Sequence, residues 1–363
     1  MMCEFLINLK WILSELYLAF HRMLFALKMV HQYKKHLKPG SYVLKNGSKI
    51  IIGRRGIEKS AVYLCFPIMD GINEPRWKRI FLSCLDALVS IPLIIKRSNK
   101  DSQKADILMT TINGDVKLFV LENNTVLTFV KDETKYSRLK CAWNSFLTYF
   151  NIPLQQFDDK NLLIKEQLIR NQKRWNDTEM LKVFNEVIDN YKKYIMCEKS
   201  KIHYVTYNEI AGVCKDKMKK CNVYLQELFD NTFSNVGIPM LPIHGDLHFG
   251  NILINDLSSF FIDWESMRND WLLYDIFNMM YVLAVYQQNY LLIDMYLEGR
   301  FDHKFNELCK IAGIDTTFFS RKHFLLIFLI QRFVFDPVPE ICCKKIPEFL
   351  LYCQEYSINC IGL

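Results

Sequence analysis

The sequence lacks the cysteine spacing that marks a zinc site or a disulfide framework. Twelve cysteines are present among 363 residues, but no two are separated by two residues, and Cys342 and Cys343 are adjacent. Adjacent cysteines do not form an ordinary structural disulfide, and zinc-ligand pairs need intervening residues. We therefore expect reduced, mostly buried thiols in a cytoplasmic protein.

The chain also lacks a clean apolar run long enough to cross a membrane, an internal repeat and a low-complexity tract. A spanning helix needs about 20 consecutive apolar residues, and the apolar stretches 1–30 and 81–95 are both interrupted by polar or charged side chains. Glu4 stands where a signal peptide carries positive charge, so we do not expect a signal peptide. Half of the residues are hydrophobic, which excludes a disordered chain.

Positive charge is concentrated in the N-terminal quarter. Residues 1–100 contain 17 Lys and Arg against 6 Asp and Glu, a net charge of +11, whereas the rest of the chain carries −4. This excess favours an anionic neighbour, such as an acidic membrane surface, a phosphorylated substrate or a polyanion. A solvated basic face is the alternative. We expect no nucleic-acid partner.

Residues 1–30 predict one long amphipathic helix, because polar side chains recur along a narrow stripe at heptad-like offsets. Residues 81–95 form a second amphipathic stretch with cationic flanks. Both stretches are compatible with peripheral contact at the inner face of a membrane or with packing in the folded body. A polar run at 97–102 ends this region, so we predict a basic N-terminal extension over residues 1–100.

The most informative segment, residues 243–265, carries an Asp five residues before an Asn. Asp246 follows His244 and Gly245, and Asn251 stands at the +5 offset of a kinase catalytic loop. A hydroxyl nucleophile needs a carboxylate to orient it and to accept its proton. This pattern favours Asp246 as that carboxylate.

A second Asp ends the apolar run that follows. Residues 251–255 and 260–262 predict two short strands joined by a turn, which would return Asp263 to the side of Asn251. ATP requires Mg²⁺ held by oxygen ligands. The amide oxygen of Asn251 and the carboxylate of Asp263 suit this task.

Together these residues resemble the aminoglycoside phosphotransferase and choline kinase superfamily of small-molecule kinases. The family signature HGD-L-H-x-G-N, followed by an apolar strand ending I-D-W-E, is present from His244 to Glu265. The resemblance implies an α+β, protein-kinase-like bilobal fold with a small antiparallel sheet in the N-lobe and a mainly helical C-lobe. It implies Asp246 as the catalytic base and Asn251 with Asp263 as Mg²⁺ ligands.

Two further residues would support this loop. His244 belongs to the signature itself, and Asp275 resembles the family's later Asp at a helix start, which braces the catalytic loop. Taken singly, HGD also fits an ordinary turn, and the carboxylates of Asp263 and Asp275 also fit helix caps. The joint order and spacing favour the kinase interpretation.

Residues 101–170 fit a kinase N-lobe. Residues 107–111, 116–121 and 126–130 predict three strands. By the resemblance, the turn at Asn113 and Gly114 would lie over the ATP phosphates, and Lys131 would bind them; an exposed Lys at a strand end is the alternative. The backbone around Glu166 and Leu168, in a predicted strand over 162–169, would pair with adenine.

This region departs from the pattern in two ways. Residues 110–114 contain one Gly, so a Gly-rich phosphate clamp is absent. The helix predicted over 137–149 has no Glu to pair with Lys131, so Glu133 or Asn144 would have to substitute. These departures keep open a catalytically silent kinase fold used for binding or scaffolding.

Residues 171–363 predict a helical C-lobe, with helices over 178–195, 208–228, 272–297, 303–312, 316–335 and 347–356. Residues 266–363 contain 9 Lys and Arg against 11 Asp and Glu, with no dense acidic cluster. This disfavours a polycationic acceptor of the choline or aminoglycoside type. We therefore predict transfer of the γ-phosphate of ATP to a small-molecule or glycan hydroxyl, with a sugar preferred. A protein kinase is disfavoured, because neither D-F-G nor A-P-E follows.

Overall fold

The computed structural model describes residues 2–45, 50–54, 93–95, 104–111, 114–170, 173, 175–220, 229, 236–314, 320–335 and 339–361. The chain divides into two compact units. The first contains Met1–Lys140 and Pro153–Gln172, and the second contains Cys141–Ile152 and Lys173–Leu363. The first unit holds a large antiparallel sheet and the second is mainly helical, which confirms the predicted α+β class.

The sheet of the first unit has the strand order β3-β1-β2-β4-β5-β6-β8-β7. Its strands are β1 (Gly40–Lys45), β2 (Ile50–Arg54), β3 (Leu93–Ile95), β4 (Ile107–Thr110), β5 (Val116–Val120), β6 (Thr125–Phe129), β7 (Gln155–Asp158) and β8 (Leu163–Gln167). The predicted strands 107–111, 116–121 and 126–130 are confirmed within one residue at each end. Their apolar residues form the core because alternate side chains of a strand share one face.

A long N-terminal helix packs on this sheet. Helix α1 spans Met2–Tyr33 and confirms the predicted amphipathic helix. Its residues Ala26, Met29 and Val30 are buried in the same apolar cluster as Leu37 and Tyr42.

The second amphipathic stretch is corrected at its end. Residues 93–95 form β3, which pairs with β1, so this part is a strand and not a helix. Residues 81–92 lie outside the described residues. Strands β1 to β3 share one sheet with strands that follow residue 104, while the division of the chain at residues 100 and 170 stays a prediction.

Helix α2 (Glu133–Phe146) begins four residues earlier than predicted. The second unit then contains α3 (Asp177–Cys197), α4 (Tyr207–Lys220), α5 (Tyr274–Gln287), α6 (Leu291–Leu297), α7 (Asp302–Ala312), α8 (Arg321–Phe335) and α9 (Pro339–Ile361). The helix predicted over 272–297 is wrong as one element, because Gln288 adopts a left-handed conformation with φ 54° and ends α5. Helix α9 is longer than predicted, and Pro339 begins it because a proline at the first helical position needs no backbone donor.

Short strands position the segment of interest. Strands β9 (His203–Thr206), β10 (Gly237–Ile243) and β13 (Arg268–Trp271) form a sheet of order β13-β10-β9, and β11 (Ile252–Ile254) pairs with β12 (Ser259–Phe261). The helices pack around them through buried aromatic side chains. Phe324, Phe328 and Phe333 are among these, as the helical spacing predicted.

Within the described part of the chain, no helix is both long and apolar enough to cross a membrane. Cys214, Cys309 and Cys353 are buried, whereas Cys141 and Cys197 are exposed. Burial raises the pKa of the Cys214 thiol to about 12, so this side chain is an inert part of the core.

Candidate active site

The segment that carries the sequence signature is a tight loop between β10 and β11. His244, directly after Ile243, is fully buried. Gly245 has φ +83°, and a Cβ at this position would collide with the carbonyl oxygen of Ser266. A left-handed backbone without room for a side chain requires glycine. The glycine of the HGD sequence is therefore required by the backbone, whatever the chemistry of its neighbours.

A buried carboxylate holds the backbone of this loop. Asp275, in the first turn of α5, is fully buried and accepts hydrogen bonds from the backbone N–H groups of His244 at 2.8 Å, Gly245 at 3.0 Å and Leu247 at 3.4 Å. The hydroxyl of Tyr191 also donates to it. Burial, and then the charge of Asp275, raise the pKa of Tyr191 well above its ordinary value, so the tyrosine remains a donor.

Hydrogen bonds link Asp246 and Asn251 to each other and to the residue that precedes Asp263. The Nδ2 of Asn251 donates to the carbonyl oxygen of Asp246 at 2.8 Å. The backbone N–H of Ile262, which precedes Asp263, donates to the carbonyl oxygen of Asn251 at 3.0 Å. The ring Nε2 of His244 lies 2.9 Å from the carbonyl oxygen of Ile262. Hydrogen bonds therefore connect the predicted base Asp246, the predicted ligand Asn251, and His244 through Ile262, and the second predicted ligand, Asp263, is the next residue of the chain.

The predicted hairpin is confirmed. Strands β11 and β12 pair antiparallel with Ile252 opposite Phe261, and the side chain of Asn255 accepts from two N–H groups of the turn. Asp263 follows directly and adopts a left-handed conformation with φ 67°. Asp and Asn enter this conformation more readily than other side chains with a Cβ.

The carboxylate of Asp246 is accessible although its surroundings are buried. Its side chain is 45% exposed, while Gly245 and Leu247 are buried. Oδ2 lies 3.9 Å from Nε2 of His248. Burial lowers the pKa of His248, although Asp246 opposes this effect, so the imidazole is neutral near pH 7. Its Nδ1 accepts the N–H of Gly250 at 3.0 Å, which makes it a support for the loop.

Arg268 and Asp270 also hold the loop, and sequence analysis did not identify them. Arg268 donates through Nη1 to the carbonyl oxygen of Gly245 at 2.7 Å and through Nε to Asp270 at 2.9 Å. Its guanidinium lies against the rings of Tyr274 and Phe335, at 4.6 Å and 4.2 Å from their centroids. The Arg-x-Asp spacing on a strand was an available signal, since alternate residues share a face.

The backbone of Leu247 is held by a side chain of helix α5. The Nδ2 of Asn278, which is buried in α5, donates to its carbonyl oxygen at 3.0 Å. Arg332 of α8 donates to Oδ1 of Asn278 at 3.2 Å. No motif marks either residue, because both act through helices distant in sequence from the loop.

Asn251 and Asp263 each carry a side-chain oxygen of the kind that magnesium binds. Among the described residues, no group of three or more His, Cys, Asp or Glu could hold a metal. Because Nδ2 of Asn251 is already a donor, Oδ1 is the atom that can ligate a cation. One amide oxygen with the Asp263 carboxylate suits Mg²⁺, which takes few protein ligands and completes its shell with water and phosphate oxygens.

In the first unit, the structure brings Gly114 and Lys131 together. Gly114 has φ +81°, and a Cβ there would lie 2.8 Å from Nζ of Lys131. The buried carboxylate of Asp115 accepts the backbone N–H of Lys131 at 3.1 Å and pairs with Lys135 at 2.5 Å. Asn113 lies outside the described residues. Lys135 and Asp115 were missed from the sequence.

The predicted adenine segment lies in β8. Glu166 pairs with both β6 and β7, and its side chain accepts from Gln155 at 3.1 Å. The N–H of Gln167 donates to the carbonyl oxygen of Leu154, and that of Leu168 donates to the carbonyl oxygen of Asn124. These two N–H groups already have partners within the first unit, so the assignment to adenine stays a prediction.

Comparison with known proteins adds a family match. The model of the phosphotransferase enzyme family matches residues 219–305. No match was found among curated protein sequences.

Solved structures also resemble the chain at low identity. Choline kinase LicA from Streptococcus pneumoniae is 12% identical with a TM-score of 0.36, over 78% of this chain and 96% of its own. An aminoglycoside phosphotransferase from Streptomyces rimosus is 11% identical with a TM-score of 0.36, over 63% of this chain and 92% of its own. A glucosamine kinase is 11% identical with a TM-score of 0.44, over 75% of this chain and 88% of its own.

The family match covers the loop and five of the residues that sequence analysis singled out. His244, Asp246, Asn251, Asp263 and Asp275 all lie between residues 219 and 305. Residues 219–305 are therefore similar to the phosphotransferase enzyme family, which confirms the resemblance and the enzyme class that the sequence predicted.

Proposed function

We propose that this protein transfers the γ-phosphate of ATP to a hydroxyl group of a small molecule or glycan, with a sugar as the preferred acceptor. Asp246 is the base, and Asn251 with Asp263 holds Mg²⁺. The observation that supports this best is the accessible carboxylate of Asp246 on a backbone fixed by buried partners. A base of this kind needs a fixed position, because phosphoryl transfer depends mainly on positioning and charge.

Each residue of the network has a defined task in this proposal. Asp246 orients the acceptor hydroxyl and takes its proton. Asn251 donates from Nδ2 to the carbonyl oxygen of Asp246. Its Oδ1 is then the atom that binds the cation. When bound, Mg²⁺ neutralises charge on the phosphate oxygens. Asp275 keeps the loop backbone in place and does not touch the reacting atoms.

The preference for a sugar acceptor is based on charge. Residues 266–363 are close to neutral, with 9 Lys and Arg against 11 Asp and Glu. A polycationic acceptor would be recognised by many carboxylates. The assignments of Asn113, Gly114, Lys131, Glu166 and Leu168 to ATP stay predictions.

The test is Mg²⁺-dependent turnover of ATP by the full chain with a panel of sugars, amino sugars, choline and aminoglycosides. Replacing the base in Asp246→Asn should lower kcat by about 10² or more while ATP binding persists. Asp256→Asn is the matched control, because its side chain is 79% exposed on the β11–β12 turn. An unchanged kcat in Asp246→Asn removes this residue from the base role.

The metal assignment is tested by Asp263→Asn. Asparagine accepts the left-handed conformation of this residue, so the backbone is preserved while the charged ligand is lost. Affinity for Mg·ATP, measured by calorimetry, should fall to the affinity for ATP without metal. Equal affinity in the variant and the parent, together with no turnover on any acceptor, would favour the silent binding protein instead.

A further inference from the structure

The outer face of α1 carries large apolar side chains that the described residues of the first unit leave largely exposed. Tyr17 is 65% exposed, Leu13 58% and Phe20 54%. Leu16, Leu24 and Leu27 are also exposed. The five residues after Leu13 follow it by three, four, seven, eleven and fourteen positions. This spacing places them on one face of a helix. We call these six residues the outer stripe.

The outer stripe is separate from the face that packs on the sheet. Ala26, Met29 and Val30 are buried in the sheet core, so α1 is already anchored by its other side. The stripe extends from Leu13 to Leu27, about 21 Å at 1.5 Å per residue. A contiguous apolar surface of this kind marks an interaction site rather than an ordinary exposed face.

Cations border this stripe. Lys10 and Lys28 are exposed, and their separation of 18 residues is five helical turns, so they lie on the same edge. Lys34 and Lys35 are exposed directly after α1. Residues 1–35 contain five Lys and Arg against two Glu.

We propose that the outer stripe docks on an anionic lipid bilayer, with α1 lying in the interface and its lysines at the headgroups. An interfacial helix combines a buried apolar face with lysines at its border, as observed here. A second copy of this chain fits the charge less well, because antiparallel pairing would place both lysine rows on the same edge. Like charges would then repel, whereas anionic headgroups attract.

The binding test uses the full chain and sedimentation with vesicles. Phosphatidylglycerol mixed with phosphatidylcholine is compared with phosphatidylcholine alone, at low salt and at about 0.5 M salt, where charge is screened within a few Å. We expect the protein to pellet with anionic vesicles at low salt and to be released by salt. A protein that stays in the supernatant with anionic vesicles at low salt overturns the proposal.

Two sets of variants distinguish binding through the outer stripe from nonspecific adsorption of exposed apolar side chains to vesicles. Tyr17→Gln/Phe20→Gln/Leu24→Gln should abolish pelleting without lowering the melting temperature. The matched control Met196→Gln/Val213→Gln/Leu257→Gln replaces apolar side chains of the second unit that are 60%, 56% and 90% exposed, and it should pellet like the parent. Lys10→Gln/Lys28→Gln should weaken binding by about fivefold for each lysine.

The same variants distinguish the other occupants of the stripe. Light scattering without lipid should give a monomer for the parent and for the stripe variant. A parent dimer that the stripe variant converts to a monomer assigns the stripe to a second copy and overturns the bilayer proposal. A stripe variant that melts at clearly lower temperature shows that the stripe packs within the chain, which overturns it as well. Both readouts are independent of phosphotransferase activity.

Discussion

The two units use buried carboxylates in different ways. In the second unit, Asp275 accepts three backbone N–H groups of the loop that carries Asp246. In the first unit, Asp115 and Asp106 each accept one backbone N–H, at 3.1 Å and 3.2 Å, and each pairs with a lysine, Lys135 at 2.5 Å and Lys38 at 3.1 Å. A backbone donor cannot move away without unfolding the loop, whereas a lysine can change its rotamer. The loop that carries Asp246 is therefore the more firmly positioned of the two regions.

Replacing the carboxylate that holds the loop should have the largest effect. Asp275→Asn loses the charge-assisted bonds to the loop and leaves buried donors poorly paired, at about 1–3 kcal/mol for each group. We expect the free energy of unfolding of the second unit to fall by about 4 kcal/mol. Amide hydrogen exchange should accelerate at His244, Gly245 and Leu247.

Asp302→Asn is the control for this variant, because Asp302 pairs with Arg321 at the surface and an exposed pair contributes about 1 kcal/mol or less. Equal losses of stability in the two variants would contradict the special role of Asp275.

The next largest effect should be a change with pH in the free energy of unfolding of the second unit. Burial raises the pKa of Asp270 from 3.8 to about 6, although Arg268 opposes the shift. The folded state then holds this proton more tightly than the unfolded state. The contribution to stability is complete below about pH 4 and is lost as the pH rises towards 6. Relative to Asp270→Asn, the parent should lose up to about 3 kcal/mol of unfolding free energy between these values.

Urea unfolding of both proteins at several pH values measures this difference. If the two curves run parallel from pH 4 to 7, the pKa of Asp270 is not raised in the folded state.

Replacing the Asp115 carboxylate of the first unit should have the smallest effect on stability. Asp115→Asn removes the ion pair with Lys135 but keeps an oxygen that can accept the N–H of Lys131. We expect a loss of about 2 kcal/mol, with faster amide exchange confined to the turn before β5. Exchange at the loop around Asp246 should stay as in the parent. Accelerated exchange at both places would remove the contrast between the units.

The local patterns of the sequence determined a large part of what the structure contains. Short apolar runs bounded by turns predicted β4, β5 and β6 within one residue at each end, and Asn176 at the start of α3 caps the helix by accepting the N–H of Glu179. Such elements are predictable because the hydrogen bonds and periodicities that define them connect residues close in sequence. The single helix expected over 272–297 was wrong, since no pattern announced the left-handed Gln288.

The candidate site divides in the same way. The sequence alone determined the residues of the motif, because an Asp, an Asn at +5 and an Asp after a hairpin are read from local spacing. Only the tertiary structure decided what holds them: Tyr191, Arg268 and Asn278 reach the loop from elements 53, 23 and 31 residues away. Partners at such distances are chosen by packing of the folded chain, which leaves no periodic signal in the sequence.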